Sequence, residues 1–102
     1  MLLVYATCAT KKLAQKISRT IVEEKLVACA AVNGPVESVF YWGKRVKTRK
    51  EFQLFLKCRE RDYPRVEQRI VQLHSDKTPC IFSMRPNNVF WKYGQWVESY
   101  SN

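Results

Sequence analysis

The stretch Val36-Glu37-Ser38-Val39-Phe40-Tyr41-Trp42-Gly43-Lys44 decides the fold of this chain. It is rich in β-branched and aromatic residues, which suit a pleated and half-buried surface. Even-numbered residues of the stretch would point to one face of a strand and odd-numbered residues to the other. A second alternating run ends at Cys58 and places Phe52 and Phe55 on opposite faces. The sequence therefore predicts a long β-hairpin that turns at Gly43-Lys44.

Shorter elements of both kinds flank the hairpin. Apolar residues at spacings of three and four predict two amphipathic helices, and apolar β-rich runs predict two further strands. Thr10 and Asp62 are suitable N-caps for the helices, and Asn33-Gly34-Pro35 predicts a bulge in the second strand. The predicted strands cover 2–8, 26–42, the run ending at Cys58, and 80–84, and the predicted helices cover 11–25, 63–74 and, at the C-terminus, 90–100.

This order of elements, β-α-β-β-α-β plus a short terminal helix, is the ferredoxin-like α+β arrangement. Its antiparallel sheet carries both main helices on one face, so the other face lacks helices. We expect Phe55, Val39 and Tyr41 on that open face. Because large apolar patches rarely stay in contact with water, another copy of the chain is the simplest cover.

The totals indicate one globular domain over residues 1–102. The hydrophobic fraction of 46% is ordinary for a folded protein. No apolar run approaches the ~20 residues that cross a bilayer, and the N-terminal segment lacks the features of an export signal. We expect a cytoplasmic protein that makes no membrane contact. The four cysteines show no zinc-finger or Cys-x-x-Cys spacing, so we expect reduced thiols.

The net charge of +9 favours contact with polyanions. Its densest basic run is a candidate anion-binding surface and comprises Lys44, Arg45, Lys47, Arg49 and Lys50. Flanking aromatic residues could stack bases, which gives an alternative function as a basic scaffold for nucleic acid or an acidic protein partner. A solvated hairpin tip explains the same residues and is favoured, because lysine on edge strands deters aggregation. Nucleic acid is therefore the less favoured partner.

Few residues are suited to catalysis or metal binding. Phosphate-binding loops, zinc-protease motifs and nucleophile elbows are absent from the sequence, so we expect no enzymatic activity and no obligatory cofactor. The one histidine, His74, follows the second helix, and Cys8 and Cys80 lie at the ends of two strands that could approach it. Imidazole and thiolate are ligands for copper and other soft divalent metals. A His74 that only stabilises a helix end is the alternative.

Several short motifs occur in a specific order along the chain. They are Ile21-Val22-Glu23-Glu24-Lys25-Leu26-Val27-Ala28-Cys29, Ser38-Val39-Phe40-Tyr41-Trp42, Lys57, Tyr63-Pro64, Leu73-His74, Thr78-Pro79, and Tyr93 with Trp96. In this order and spacing, the sequence resembles the CutA family of divalent-cation tolerance proteins over essentially its whole length.

The resemblance implies a homotrimer in which long hairpins of neighbouring subunits pair around a threefold axis. It also implies a role in tolerance of, or response to, divalent metal ions, with copper binding, and it brings no agreed enzymatic reaction. His74 matches the family's histidine near the presumed metal site. The residues that we expect at the trimer interface are Phe40, Tyr41, Trp42, Phe52 and Phe55.

The chain departs from the family pattern at three places. The turn glycine is shifted by one position to Gly43, which predicts a different turn type or register at the hairpin tip. The loop His74-Ser75-Asp76 lacks the family's proline and aromatic residue, and Cys80 stands where an acidic residue is frequent. The charge of +9 is unusual for the family and disfavours cation capture by bulk electrostatics. Metal binding would therefore need specific soft ligands.

Overall fold

The computed structural model describes residues 1–100 as a four-stranded antiparallel sheet with its main helices on one face. The strand order is β2-β3-β1-β4, so β2 and β4 form the two edges. This arrangement confirms the predicted ferredoxin-like α+β fold. The elements are β1 (Leu2–Cys8), α1 (Lys11–Glu23), β2 (Cys29–Trp42), β3 (Arg45–Cys58), α2 (Tyr63–Leu73), β4 (Ile81–Met84) and α3 (Trp91–Glu98), with a 3-10 turn at Glu60–Asp62.

The core lies between the sheet and the first two helices. Alternate residues of β1 and β3, such as Val4 and Leu54, point towards Ile17 of α1 and Ile70 of α2, and all four are fully buried. Phe52 belongs to the same cluster and is 8% exposed. Burial of such side chains stabilises the fold by roughly 1.5–3 kcal/mol each. The apolar residues that alternate along the strands and those that recur about every 3.6 residues along the helices thus pack into one apolar layer.

A β-bulge in β2 determines which hairpin residues share a face. The register passes from Asn33 opposite Gln53 to Val36 opposite Glu51, so β2 contains one extra residue. Beyond the bulge, the even-numbered residues of β2 lie on the open face with Phe55. The expectation that Val39 and Tyr41 share that face is therefore wrong. The bulge itself was correctly predicted. Its consequence was not, because one extra residue exchanges the faces on which the odd- and even-numbered residues of β2 lie.

The hairpin extends beyond the rest of the sheet as an arm, residues 36–51. Seven residue pairs, from Val36–Glu51 to Trp42–Arg45, join its two strands. The last residue of β3 that β1 pairs is Phe52, so the arm projects by about 20 Å. Gly43 and Lys44 form the turn with φ of 60° and 63°. Two positive φ values define a type I′ turn, whose twist matches that of the strands.

Of the two predicted N-caps, Thr10 is confirmed and Asp62 is wrong. The Thr10 hydroxyl accepts a hydrogen bond from the Leu13 amide at 3.1 Å, as predicted. Asp62 does not cap α2, because it ends a 3-10 turn in helical geometry and its carboxylate binds arginine side chains instead. Helix α1 ends at Glu23 because Lys25 adopts φ of 59°. Within residues 1–100, no helix combines the length and apolarity that crossing a membrane requires.

Candidate functional site

A groove of about 720 Å³ lies between the arm and the loop that precedes β4. The arm contributes the aromatic side chains of Phe40 and Trp42 together with Lys47. The loop contributes Lys77 and Cys80, and the end of β1 closes the groove from below. Because Phe40 and Trp42 follow the bulge, they face this groove and not the helix side. The groove is thus a consequence of the extra residue in β2.

An ion cluster connects the arm with the loop at one wall of this groove. The Arg49 guanidinium donates hydrogen bonds to Glu51 at 2.7 Å and to Asp76 at 2.8 Å. The Asp76 and Glu51 carboxylates raise the pKa of Arg49 above its ordinary value, and Arg49 lowers the pKa of Asp76. Asp76 thereby holds the loop in place against the arm.

Glu51 is the most buried acidic group of this cluster, with 8% of its surface exposed. Burial alone would raise its pKa, but hydrogen bonds from Ser38, Arg49 and Thr7 lower the pKa below its ordinary value. The carboxylate therefore stays ionised at neutral pH. With Asp76 it more than neutralises the charge of Arg49.

His74 uses both ring nitrogens within the chain. Its Nε2 lies 2.7 Å from the carbonyl oxygen of Thr7, and its Nδ1 accepts a hydrogen bond from the Asp76 amide at 3.0 Å. This pattern requires a neutral ring that carries its proton on Nε2. Neither nitrogen presents a free lone pair to a metal ion. His74 therefore positions the start of the loop relative to β1.

The two cysteines predicted with His74 lie in different environments. Cys8 is fully buried in the core, and burial raises the pKa of its thiol to about 11. Cys80 is exposed and lines the groove. Among residues 1–100, no three His, Cys, Asp or Glu side chains are grouped in a way that could hold a metal ion. His74, Cys8 and Cys80 therefore do not form a preassembled three-ligand group in the described part of one chain.

The structure separates the five aromatic residues expected at a trimer interface. Phe52 is in the core, and Phe55 packs edge-on against Tyr5 of the open face, with ring centroids 5.5 Å apart. The other three are exposed on the arm, and the exposed fractions are 36% for Phe40, 75% for Tyr41 and 59% for Trp42. The three arm residues are therefore accessible to another subunit, whereas Phe52 is not.

The basic residues of the arm also fall into two groups. Arg49 is held by two carboxylates, as described above. The remaining four make no ion pair with any residue in the described range 1–100, and they are Lys44, Arg45, Lys47 and Lys50. Of these, Lys47 faces the groove, whereas Lys50 lies on the other face of β3.

Comparison with known proteins identifies the family. A family model described as "CutA1 divalent ion tolerance protein" matches residues 2–100. The chain belongs to the CutA1 family. It is 32% identical over 98 residues to the divalent-cation tolerance protein CutA of Pyrococcus horikoshii, covering 95% of this chain and 94% of that protein. Identity to the CutA of Archaeoglobus fulgidus is 26% over 95 residues, with 93% and 92% covered.

Solved CutA1 structures share the fold of this family member. The structure from Ehrlichia chaffeensis matches with a TM-score of 0.93 and 30% identity, covering 99% of this chain and 94% of that one. The structure from Thermus thermophilus gives a TM-score of 0.94 at 25% identity, with 98% of both chains covered. These matches confirm the resemblance that the sequence motifs indicated.

Sequence reasoning missed eight of the residues that line the groove in this CutA1 family member, and they are Tyr5, Thr7, Ser38, Glu51, Ser75, Asp76, Lys77 and Thr78. Thr7 was part of a strand, and Asp76 and Lys77 were part of an unassigned loop. The alternation of β3 already placed Arg49 and Glu51 on one face, which could have indicated an ion pair. Nothing local to the loop indicated that Asp76 would complete it, because the contact joins residues 27 positions apart.

Proposed function

We propose that this CutA1 family member acts as a homotrimer in divalent-cation tolerance, without an enzymatic reaction. The observation that carries the proposal is the family match over residues 2–100, together with relatives named as divalent-cation tolerance proteins. The expected absence of catalysis rests on the sequence, which lacks the strong catalytic motifs, and on the commitment of the one histidine to two hydrogen bonds.

The trimer part of the proposal is supported by the arm and the sheet edges. The β2 edge and the β4 edge lie at opposite ends of the sheet. A contact between two different surfaces, repeated around an axis, closes a ring without free edges. The arm exposes Phe40, Tyr41 and Trp42 where such a contact would bury them. We assign these three residues to the subunit contact.

Replacement of Trp42 tests this assignment. Trp42→Asp should shift the protein from trimer towards monomer in light scattering, because it places a charge in a buried apolar contact. Trp91→Asp is the matched control, since Trp91 of α3 is 62% exposed and Trp42 is 59% exposed. Equal effects of the two substitutions, or no effect of Trp42→Asp, would refute the role of the arm.

Copper binding through His74, Cys8 and Cys80 is the finer part of the proposal. The exposed thiol of Cys80 supports it, but the three side chains of one chain do not fit a preassembled site. His74 would have to break a hydrogen bond, and Cys8 would have to lose a proton inside the core. Calorimetry with Cu(I), Cu(II) and Zn(II) on wild type and His74→Ala tests the assignment. Weaker copper binding by His74→Ala supports it, and equal affinities exclude His74.

The cytoplasmic location is likewise a proposal, supported by four free cysteines, which suit a reducing compartment. Fractionation of cells followed by thiol labelling tests it. Recovery of labelled protein with the cytoplasmic fraction is expected. Recovery with an oxidising compartment would contradict it.

A basic scaffold for nucleic acid or an acidic partner is the second candidate function. The four unpaired cations of the arm favour it, because exposed aromatic residues lie beside them. A gel shift with mixed oligonucleotides at low and high salt tests the nucleic-acid version. Binding that weakens steeply with salt supports it. A lack of binding at low salt argues against it.

A further inference from the structure

The outward face of helix α1 carries a row of positive side chains. Lys11, Lys12 and Lys16 are exposed and make no ion pair with any residue in the described range 1–100. Arg19 pairs with Glu23 at 3.6 Å, but the two side chains are 81% and 64% exposed, so solvent screens the pair. No acidic residue precedes Glu23 in the sequence. Lys11, Lys12, Lys16 and Arg19 form what we call the basic ridge.

The helix holds these four cations on one surface. At about 100° per residue they span roughly 140° of the helix circumference. The buried Ala14, Ile17 and Ile21 lie on the opposite side and pack into the core. From Lys11 to Arg19 the helix rises by about 12 Å. The basic ridge has no residue in common with the arm, which carries the proposed subunit contact.

Lysine is an unfavourable choice at the beginning of a helix. The free amide groups of the first turn give a helix N-terminus partial positive charge, so acidic side chains stabilise it and basic ones destabilise it. The first turn of α1 contains no acid, and Lys11 and Lys12 are its first two residues. Departures from local preference concentrate at functional sites. An anion bound to the basic ridge would remove this conflict.

The composition of the surface decides which polyanion it fits. Within α1, Val22 at 37% is the one exposed large apolar side chain. A protein interface has an apolar core, and a helix on a membrane surface inserts an apolar face, so neither partner matches the basic ridge. Single strands are held partly by stacking on aromatic side chains, and α1 has none. The backbone of a duplex needs only cations and polar donors.

From these observations, we infer that the basic ridge binds the phosphate backbone of a nucleic-acid duplex without reading its sequence. Its length of about 12 Å matches about three or four phosphates of one strand, at about 3.4 Å of axis per phosphate. The exposed Gln15 adds a polar donor between Lys12 and Lys16. The inference goes beyond divalent-cation tolerance and does not depend on the trimer. It differs from the basic scaffold described above, because the contact lies on α1 and not on the arm.

Fluorescence anisotropy with a labelled DNA duplex of about 20 base pairs, at about 50 to 200 mM salt, tests the inference. Wild type should bind at low salt with a dissociation constant in the micromolar range and weaken steeply as salt is added. The ridge variant Lys11→Gln/Lys12→Gln/Lys16→Gln should bind about tenfold more weakly or worse. Its plot of log affinity against log salt should be shallower by about 3, since each lost phosphate contact removes about 0.9 from the slope.

The matched control is Lys25→Gln/Lys77→Gln/Lys92→Gln, which removes the same charge from exposed positions outside the basic ridge. It should bind within about threefold of wild type with an unchanged salt slope. Urea unfolding of the ridge variant checks its fold. Because its lysines oppose the helix dipole, its urea midpoint should not be lower than that of wild type.

An arm variant, Lys44→Gln/Lys47→Gln/Lys50→Gln, separates the two basic surfaces. A larger loss of affinity in the ridge variant than in the arm variant supports the inference. Three results would overturn it. Wild type shows no binding at low salt up to about 100 μM protein, the ridge and control variants lose affinity equally, or the arm variant loses at least as much as the ridge variant. The last result would support the basic scaffold of the arm instead. None of them changes the molar mass, which tests the homotrimer separately.

Discussion

The substitution Asp62→Asn should strongly destabilise the protein, because Asp62 is the centre of a buried ionic cluster. Its side chain is 2% exposed and that of Arg59 is 7% exposed, with the carboxylate 2.7 Å from Arg59 Nε. Arg65 donates a further hydrogen bond at 2.6 Å, and the Tyr100 hydroxyl donates another. Removal of the negative charge leaves the Arg59 guanidinium buried without a counter-charge. Breaking a buried pair in this way costs about 3–5 kcal/mol.

We expect a loss near the lower end of this range, about 3 kcal/mol, because the asparagine keeps the volume and one acceptor oxygen for Arg59. The measurement is urea unfolding at pH 7. All variants are compared at one protein concentration, because the stability of an associating protein depends on its concentration. Glu60→Gln is the matched control. Glu60 lies only two positions from Asp62 in the sequence and pairs with Arg85. Both side chains of the Glu60–Arg85 pair are more than half exposed. Salt screens such surface pairs, so this change should be small.

The effect of pH provides a second check on Asp62. Burial would raise its pKa, but hydrogen bonds from Arg59, Tyr100 and Arg65 lower the pKa from 3.8 to about 2. A lowered pKa in the folded state means that the group stabilises the fold above its unfolded pKa, and that this contribution disappears as pH falls through the folded value. The difference between wild type and Asp62→Asn should therefore shrink from about pH 4 to about pH 2. A difference that is constant over this range, or no larger at pH 7 than that of Glu60→Gln, would refute the buried-pair argument.

Three further substitutions test local features of the fold. Lys25→Gly should raise the free energy of unfolding by about 1 kcal/mol, since Lys25 adopts φ of 59° at the end of α1; a lower urea midpoint would contradict this. Gly34→Ala should cost about 2 kcal/mol or more, because Gly34 has φ of 145° and an added Cβ would lie 2.8 Å from Phe52 Cδ2. Its control, Gly94→Ala in α3, meets only an ordinary contact at 3.5 Å and should be neutral or stabilising, so equal costs would contradict the steric argument. His74→Ala should cost about 2 kcal/mol and accelerate hydrogen exchange of the Asp76 amide, because that amide loses its acceptor; unchanged exchange would exclude the positioning role.

The fold could be predicted from the sequence because its main signals are local. The alternation on both sides of Gly43-Lys44 indicated the hairpin, and Thr10 indicated the start of α1. The faces on which the arm residues lie could not be assigned in the same way. The bulge at Asn33-Gly34-Pro35 moves every later residue of β2 to the opposite face of the sheet. A bulge is visible in a sequence as a break, but its effect on parity depends on how many residues it adds.

The candidate site was less predictable because it depends on distant contacts. His74 and Asp62 each had a reasonable local interpretation, as a metal ligand and as a helix cap. In the structure, His74 contacts Thr7, 67 positions away, and Asp62 contacts Tyr100, 38 positions away. Polar groups that become buried take whichever partner the fold brings near. Residue type and spacing alone do not identify that partner.

Molar mass in solution tests the central claim, that this CutA1 family member works as a homotrimer joined through its arms. Size-exclusion chromatography with light scattering should give about 36 kDa, three times the 12.1 kDa of the chain, and the value should not change on dilution into the micromolar range. A mass of 12.1 kDa at all concentrations would contradict the trimer and leave the arm without its proposed role.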